Sequence, residues 1–167
     1  LLLGLMIPSM MLIIPQFVLT KQLHLIDNLW ALVLFYVSGN LALNTFLLRS
    51  FFEGIPRELD EAMEVDGANV WTRYWRLAMP LARPALATTV IFTFLATWDE
   101  FAWALTVIST ETKRTLPIAI QLFHGQNSTQ WGLVFAASLI AILPVIVVYL
   151  IFQRHFVAGL TAGAVKG

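Results

Sequence analysis

The stretch Glu61-Ala62-Met63-Glu64-Val65-Asp66-Gly67, followed nine residues later by Leu77-Ala78-Met79-Pro80, decides how this chain is read. It lies within residues 49–83, the polar part of a chain that is 59% hydrophobic and only 12% charged. Pro56 suits the first position of a helix, where its missing N–H is not needed. From there Leu59, Ala62 and Met63 fall at i, i+3 and i+4 and make one apolar stripe, with Asp60, Glu61 and Glu64 around it. Gly67 stands where that helix would close through a left-handed residue. Asn69 then fits as the cap of a second helix, in which Trp71, Tyr74, Trp75 and Ala78 form another stripe beside Arg73 and Arg76. Pro80 would end that helix and Pro84 would open the next segment. The expectation is helix, glycine turn, helix: a stiff knob.

What flanks the knob is apolar. Residues 1–19, 29–48 and 131–152 carry no charge, and 84–109 is interrupted only by Asp99 and Glu100. About 20 helical residues cover the roughly 30 Å hydrocarbon core, so each run is long enough to span. The fold class expected is an all-α membrane protein with spans near 1–20, 29–48, 84–109 and 131–152 and a polar loop over 49–83. Seven basic residues (Arg49, Arg57, Arg73, Arg76, Arg83, Arg154, Lys166) lie in the central loop and C-terminal tail, against Lys21, Lys113 and Arg114 elsewhere. The positive-inside bias therefore puts the loop and the C-terminus in the cytoplasm. A formal net charge of zero and the lack of any basic cluster point away from nucleic acid. With no cysteine, disulfide and thiolate chemistry are excluded. The chain opens on Leu1-Leu2-Leu3, which does not read as a signal peptide. The expectation is a piece lacking earlier helices.

Polar groups inside the apolar runs are the candidates for function. Ser38-Gly39-Asn40 and Asn44 suit close packing and interhelical hydrogen bonds, and Pro8, Pro15 and Pro144 are tolerable in membrane helices. A charge at a helix centre costs roughly 2.5–3.5 kcal/mol, so Asp99 and Glu100 call for a watered cavity or a bundle interior. On one continuous helix they would diverge around the axis. The translocation-path candidates are Asn44, Trp98, Asp99 and Glu100, with helix packing the competing role. Trp98, Phe101 and Trp103 offer aromatic faces to a sugar or to lipid. His24, His124 and His155 are scattered and form no His-Glu-x-x-His pair, and no phosphate-binding glycine loop is present. No catalytic, cofactor or metal site is expected, and the chain is read as a non-enzyme.

A hairpin lying on lipid headgroups is the plain alternative for the loop. Its second half, aromatic and basic, fits that; its first half, with six carboxylates from Glu53 to Asp66, does not. An acidic helix with an apolar stripe suits a groove on a protein partner.

With these residues in view, the chain resembles the membrane permeases of binding-protein-dependent ABC importers. Their cytoplasmic loop reads Glu-Ala-Ala, three residues, Gly, nine residues, Ile-x-Leu-Pro. Glu61-Ala62-Met63, Gly67 and Leu77-Ala78-Met79-Pro80 keep every spacing, with apolar replacements at Met63, Leu77 and Met79. Arg57 to Ala62, Asp66-Gly67-Ala68, Pro80 to Leu86 and Gly159 to Gly167 are similar to the carbohydrate branch, in particular the smaller permease of maltose-type importers. The resemblance implies a type I ABC importer transmembrane domain, here the last four of about six helices. It also implies a second homologous permease, a cytoplasmic ATP-binding cassette ATPase dimer and an extracytoplasmic sugar-binding protein, all acting in a bacterial or archaeal plasma membrane. Glu61, Ala62, Met63, Asp66, Gly67, Leu77 and Pro80 would be the ATPase-coupling residues, and Gly163 and Lys166 would belong to a tail reaching the ATPase. Trp98-Asp99 departs from the family's usual Trp-Asn. Import of another small solute, or secondary transport through Asp99 and Glu100, are the competing readings.

Overall fold

Lipid offers no hydrogen-bond partners, so apolar runs of this kind must satisfy their backbone groups internally, and helices do so. The computed structural model describes residues 3–125 and 128–164, and among them the ordered elements are helical, apart from one isolated bridge between His124 and Thr129. Among the described residues, two helices are long and apolar enough to cross a membrane: α3 (Leu29–Glu53) and the Trp131–Gln153 part of α10 (Trp131–Ala164). A third would arise if Val70–Leu81 and Arg83–Trp98, bent by 63° from one another, are taken as one broken span.

The first and third apolar runs are therefore not the single helices that run length suggests. Residues 3–22 divide into α1 (Leu3–Met6), a 3-10 turn (Ser9–Leu12) and α2 (Ile13–Gln22). Pro8, extended at φ −60° and ψ 128°, separates the first two. Pro15 is harmless because it lies in the first turn of α2, where backbone N–H groups have no intrahelical acceptor. The run 84–109 divides into α7 (Arg83–Trp98) and α8 (Ala102–Val107), with Asp99, Glu100 and Phe101 between them. Pro144, by contrast, sits inside α10 without ending it. A proline removes a donor to the carbonyl four residues back and crowds that turn. The indole of Trp98 donates to the neighbouring carbonyl, Ala141 O, at 3.1 Å, which ties α7 to α10 there.

The core lies at the end of α3 away from the polar insert. Ala31, Leu32, Trp103, Ala104, Val107, Ile108 and Ile118 are buried together, with Phe17, Phe35 and Tyr36 packed against them. Ile118 comes from α9 (Leu116–Gln121). Trp103, 1% exposed, stacks on Phe35 at 4.8 Å and donates its indole N–H to Ala31 O at 3.2 Å. It serves neither sugar nor lipid, because α8 folds back into protein. Along α10, Leu139, Ile140, Leu143, Val147 and Ile151 remain exposed, as a lipid-facing helix requires.

Candidate docking hairpin and intramembrane polar groups

The insert folds as a two-armed hairpin. Its first arm is α4 (Arg57–Val65), with Pro56 at the N-cap and Glu58 and Asp60 in the first turn, where the helix dipole favours negative charge. The arm closes through a complete Schellman motif. Ala68 N–H donates to Met63 O and Gly67 N–H to Glu64 O, both at 2.9 Å, with Gly67 at φ +78°. A Cβ at Gly67 would meet no atom within 4 Å, so the glycine is required by its backbone angle and not by space. Asn69 caps the second arm, accepting from Thr72 N–H at 2.9 Å.

That arm runs through α5 (Val70–Arg73), a π-helical turn (Tyr74–Ala78) and α6 (Met79–Leu81) before α7 begins. Pro80 does not end it, contrary to the expectation from sequence. The widened turn just ahead rearranges the carbonyls that Pro80 cannot serve, as π-bulges near helix distortions do. The break falls instead at Ala82, which is fully buried.

Arg73 locks the arms together. Its guanidinium donates to Glu64 at 2.5 Å and Asp60 at 3.2 Å, and its side chain is only 18% exposed. Sequence reading left Arg73 on a polar face without a partner. The signal for it was opposite charge on the two arms, legible only once the turn at Gly67 folds them together.

The expected coupling residues share this hairpin but divide by environment. Gly67 and Pro80 shape the backbone, while Met63 and Leu77 are half-buried within it. Glu61, Ala62 and Asp66 are exposed, and the side chains of Glu61 and Asp66 make no hydrogen bond or ion pair among the described residues. Val65 (88% exposed) and Trp71 (72%) stand beside the turn. The arrangement leaves carboxylates and apolar side chains open together at one tip. Gly163 falls inside α10, and Lys166 lies outside the described residues.

The four intramembrane candidates are not brought to one point. Asn44 donates to Thr93 Oγ1 at 2.8 Å across α3 and α7, while its own Oδ1 is buried without a partner among the described residues. An open groove of about 370 Å³ passes this pair, lined by Asn44, Thr89, Val90, Thr93, Phe94 and Thr97. Trp98 stacks on Phe94 at 5.4 Å and is spent on α10. Asp99 ends α7, is exposed and has no side-chain partner among the described residues.

Glu100 has the opposite fate. Its carboxylate accepts from Trp103 N–H at 2.7 Å, Ala104 N–H at 3.1 Å and the Tyr36 hydroxyl at 3.1 Å. It caps α8 and fixes that helix to α3. The two acids diverge because the helix stops, not because a continuous helix turns between them.

A second carboxylate cluster closes the end of α3 opposite the hairpin. Asp27, in the left-handed region at φ +56°, accepts from Ser109 N–H (2.9 Å), Thr110 N–H (2.8 Å), the Thr110 hydroxyl (2.5 Å) and Lys113 Nζ (3.2 Å). The Thr110 hydroxyl and amide, then the Ser109 amide, hold its carboxyl well below the usual carboxylate range. This staple joins the α2–α3 loop to the segment after α8. Sequence reading did not single it out.

Helices apolar enough for lipid, joined by a locked hairpin that leaves part of its charge and apolar surface open, define a membrane protein with a structured polar insert. The chain belongs to the binding-protein-dependent transport system inner membrane component family, which matches residues 1–162. It is 39% identical over 160 residues to the sulfoquinovosyl glycerol transport system permease protein SmoH of Agrobacterium fabrum, covering 96% of this chain and 56% of the relative. It is 38% identical to the trehalose/maltose transport system permease protein MalG of Thermococcus litoralis, covering 97% and 59%. Identity is also 38% to the trehalose transport system permease protein SugB of Mycobacterium tuberculosis, covering 97% and 60%. The chain thus spans somewhat more than half the length of these relatives.

Proposed function

We propose that this chain is the permease part of an ATP-driven sugar importer, forming one side of the translocation pathway and passing ATPase motion to it. The observation that carries this reading is the hairpin, closed by the Gly67 turn and the Arg73 lock, with Glu61, Asp66 and Val65 left open at its tip. A rigid element with an unpaired acidic and apolar surface transmits a push, whereas a flexible loop would absorb it. Kinship with permeases named for sulfoquinovosyl glycerol, trehalose and maltose supports sugar as the cargo class.

In this scheme α4 docks in a groove on a cytoplasmic ATPase, with Glu61 as anchor, Ala62 and Met63 as packing surface and Asp66 beside the turn. Gly67 permits the reversal, and Leu77 and Pro80 join the second arm to α7. ATP binding draws two ATPases together, and the hairpins of this chain and a second homologous permease move with them. The cavity between the permeases then opens to receive sugar from an extracytoplasmic binding protein, and hydrolysis in the ATPase resets it. The chain itself performs no catalysis. The insert and the C-terminus, with Gly163 and Lys166, face the cytoplasm, and the path contains the Asn44 groove and Asp99. Glu100 supports that path without lining it.

The test is uptake of labelled sugars into cells with and without the complete gene, before and after ATP depletion. Gene-dependent, ATP-dependent accumulation of one sugar is expected. Accumulation that survives ATP depletion but collapses with the proton gradient would overturn the reading in favour of secondary transport through Asp99. ATP-dependent uptake of a different solute would keep the importer and change its cargo.

A further inference from the structure

The two arms of the insert carry opposite charge. Residues 57–66 hold five carboxylates against the single Arg57, whereas residues 67–83 hold no Asp or Glu and three arginines. Arg73 is consumed inside the hairpin, which leaves Arg76 and Arg83 exposed and without a partner among the described residues. Beside them, Trp71, Tyr74 and Trp75 form one edge-to-face cluster, with centroids 6.3 Å and 5.0 Å apart. All three rings are open, Trp71 and Trp75 by more than half.

With α7 crossing along the membrane normal and Arg83 at its cytoplasmic edge, as in the proposed orientation, this arm stays close to that edge. Val70–Leu81 is turned 63° from the axis of α7. Twelve helical residues rise about 18 Å, so less than half of that, about 8 Å, is directed along α7. The headgroup region on each side of the hydrocarbon core is itself about 5–8 Å deep. Amphipathic rings and arginines on a segment held at that level are the composition of an interfacial helix. The acidic arm has the wrong sign for an anionic leaflet.

We infer that residues 70–83 lie in the cytoplasmic headgroup layer and engage anionic phospholipid through Arg76 and Arg83, leaving the acidic arm alone for protein docking. This rests on the orientation given under Proposed function and not on the cargo being a sugar. The hairpin is then a two-sided part, one arm bound to the leaflet and the other to a protein. Charge decides which arm goes where.

Cysteine is absent from this chain, so single labels can be placed on it. Trp75→Cys, Trp71→Cys and Val65→Cys would each carry a nitroxide in the assembled transporter, reconstituted in vesicles of phosphatidylcholine with one-quarter phosphatidylglycerol. At 71 and 75, relaxation by oxygen should exceed that by a water-soluble nickel chelate; at 65 the order should reverse. Arg76→Gln with Arg83→Gln should weaken the phosphatidylglycerol dependence of the label at 75 by about fivefold per arginine. Two results would overturn the inference. One is a label at 75 open to nickel in vesicles without the ATPase and shielded only when it is added, which would make this arm a protein-docking surface. The other is identical accessibility with and without phosphatidylglycerol, which would leave apolar insertion with no anionic partner. If sugar uptake fails while the depths come out as stated, the cargo reading falls and this inference stands.

Discussion

The Trp103 core and the hairpin use polar groups in opposite ways. Around Trp103 they are spent internally: Glu100 takes three hydrogen bonds, Trp103 and Tyr36 each supply donors, and Asp27 ties the adjoining loops. The hairpin spends only enough to be rigid, through Arg73, Asn69 and the Gly67 turn, and leaves Glu61, Asp66, Val65 and Trp71 open. One region is built to hold its shape alone, and the other to be completed from outside. Stability and function should therefore separate when each is mutated.

The sharpest break between them is expected from Trp103→Ala against Glu61→Ala. Truncating the tryptophan should cost about 3–5 kcal/mol, read as a large fall in thermal midpoint in detergent. Glu61→Ala should leave the midpoint where it was and abolish co-purification with the ATPase. Equal destabilisation by both would erase the distinction. Next comes Glu100→Ala, which strands two amides and a hydroxyl at about 1–3 kcal/mol for each buried group. Glu100→Gln, which keeps acceptor capacity, should recover most of the loss in the same melt. A normal midpoint for Glu100→Ala would mean that the acid serves the path and not the fold.

Gly67→Ala should be smaller, about 1–2 kcal/mol for a Cβ in the left-handed region. Asn at the same position should be tolerated better, and Gly67→Val worse. Uptake measured at saturating ATP should fall before the melt does, since the turn sets how the arms meet. Asp99→Asn should change stability by less than about 0.5 kcal/mol, as for an exposed side chain with no partner among the described residues. Uptake altered at unchanged stability would assign Asp99 to the path.

The Asp27 staple should show the least of all between pH 5 and 8. A carboxylate whose folded-state pKa is lowered stabilises the fold above its ordinary value, near 3.9, and loses that contribution only as pH falls toward the lowered one. Protease resistance of the 108–114 loop should stay flat over that interval and drop in strong acid. A drop already near pH 6 would mean that a different group governs the loop.

How much of this was legible in sequence depended on the range of the interaction. The Gly67 turn, the Asn69 cap and the apolar stripe of α4 follow from spacing within a few residues, and the structure has them. The break at Asp99 was hidden because run length averages over residues, and two acids in an apolar stretch do not announce that a helix stops. Glutamate is not a favoured cap, so the hold of Glu100 on Trp103 and Ala104 left no local mark. Tyr36–Glu100 and Asp27–Thr110 join residues far apart in sequence and become visible only after α3 and α7 have paired. The same holds for the lock by Arg73. Pro80 misled because a proline usually stops a helix, and here a π turn absorbs its missing donor.

That turn also fixes a phase. A π-helical turn holds one residue more than the α-helical turn it replaces, and each α-helical residue advances the chain by about 100° about its axis. Everything before Tyr74 is therefore rotated by roughly that much, relative to α7, from where a plain helix would put it. The nine-residue gap between Gly67 and Leu77 is in this sense an angular setting as well as a length. Deleting one residue within 74–78 would leave the Gly67 turn and the Arg73 lock as they are and aim the hairpin somewhere else.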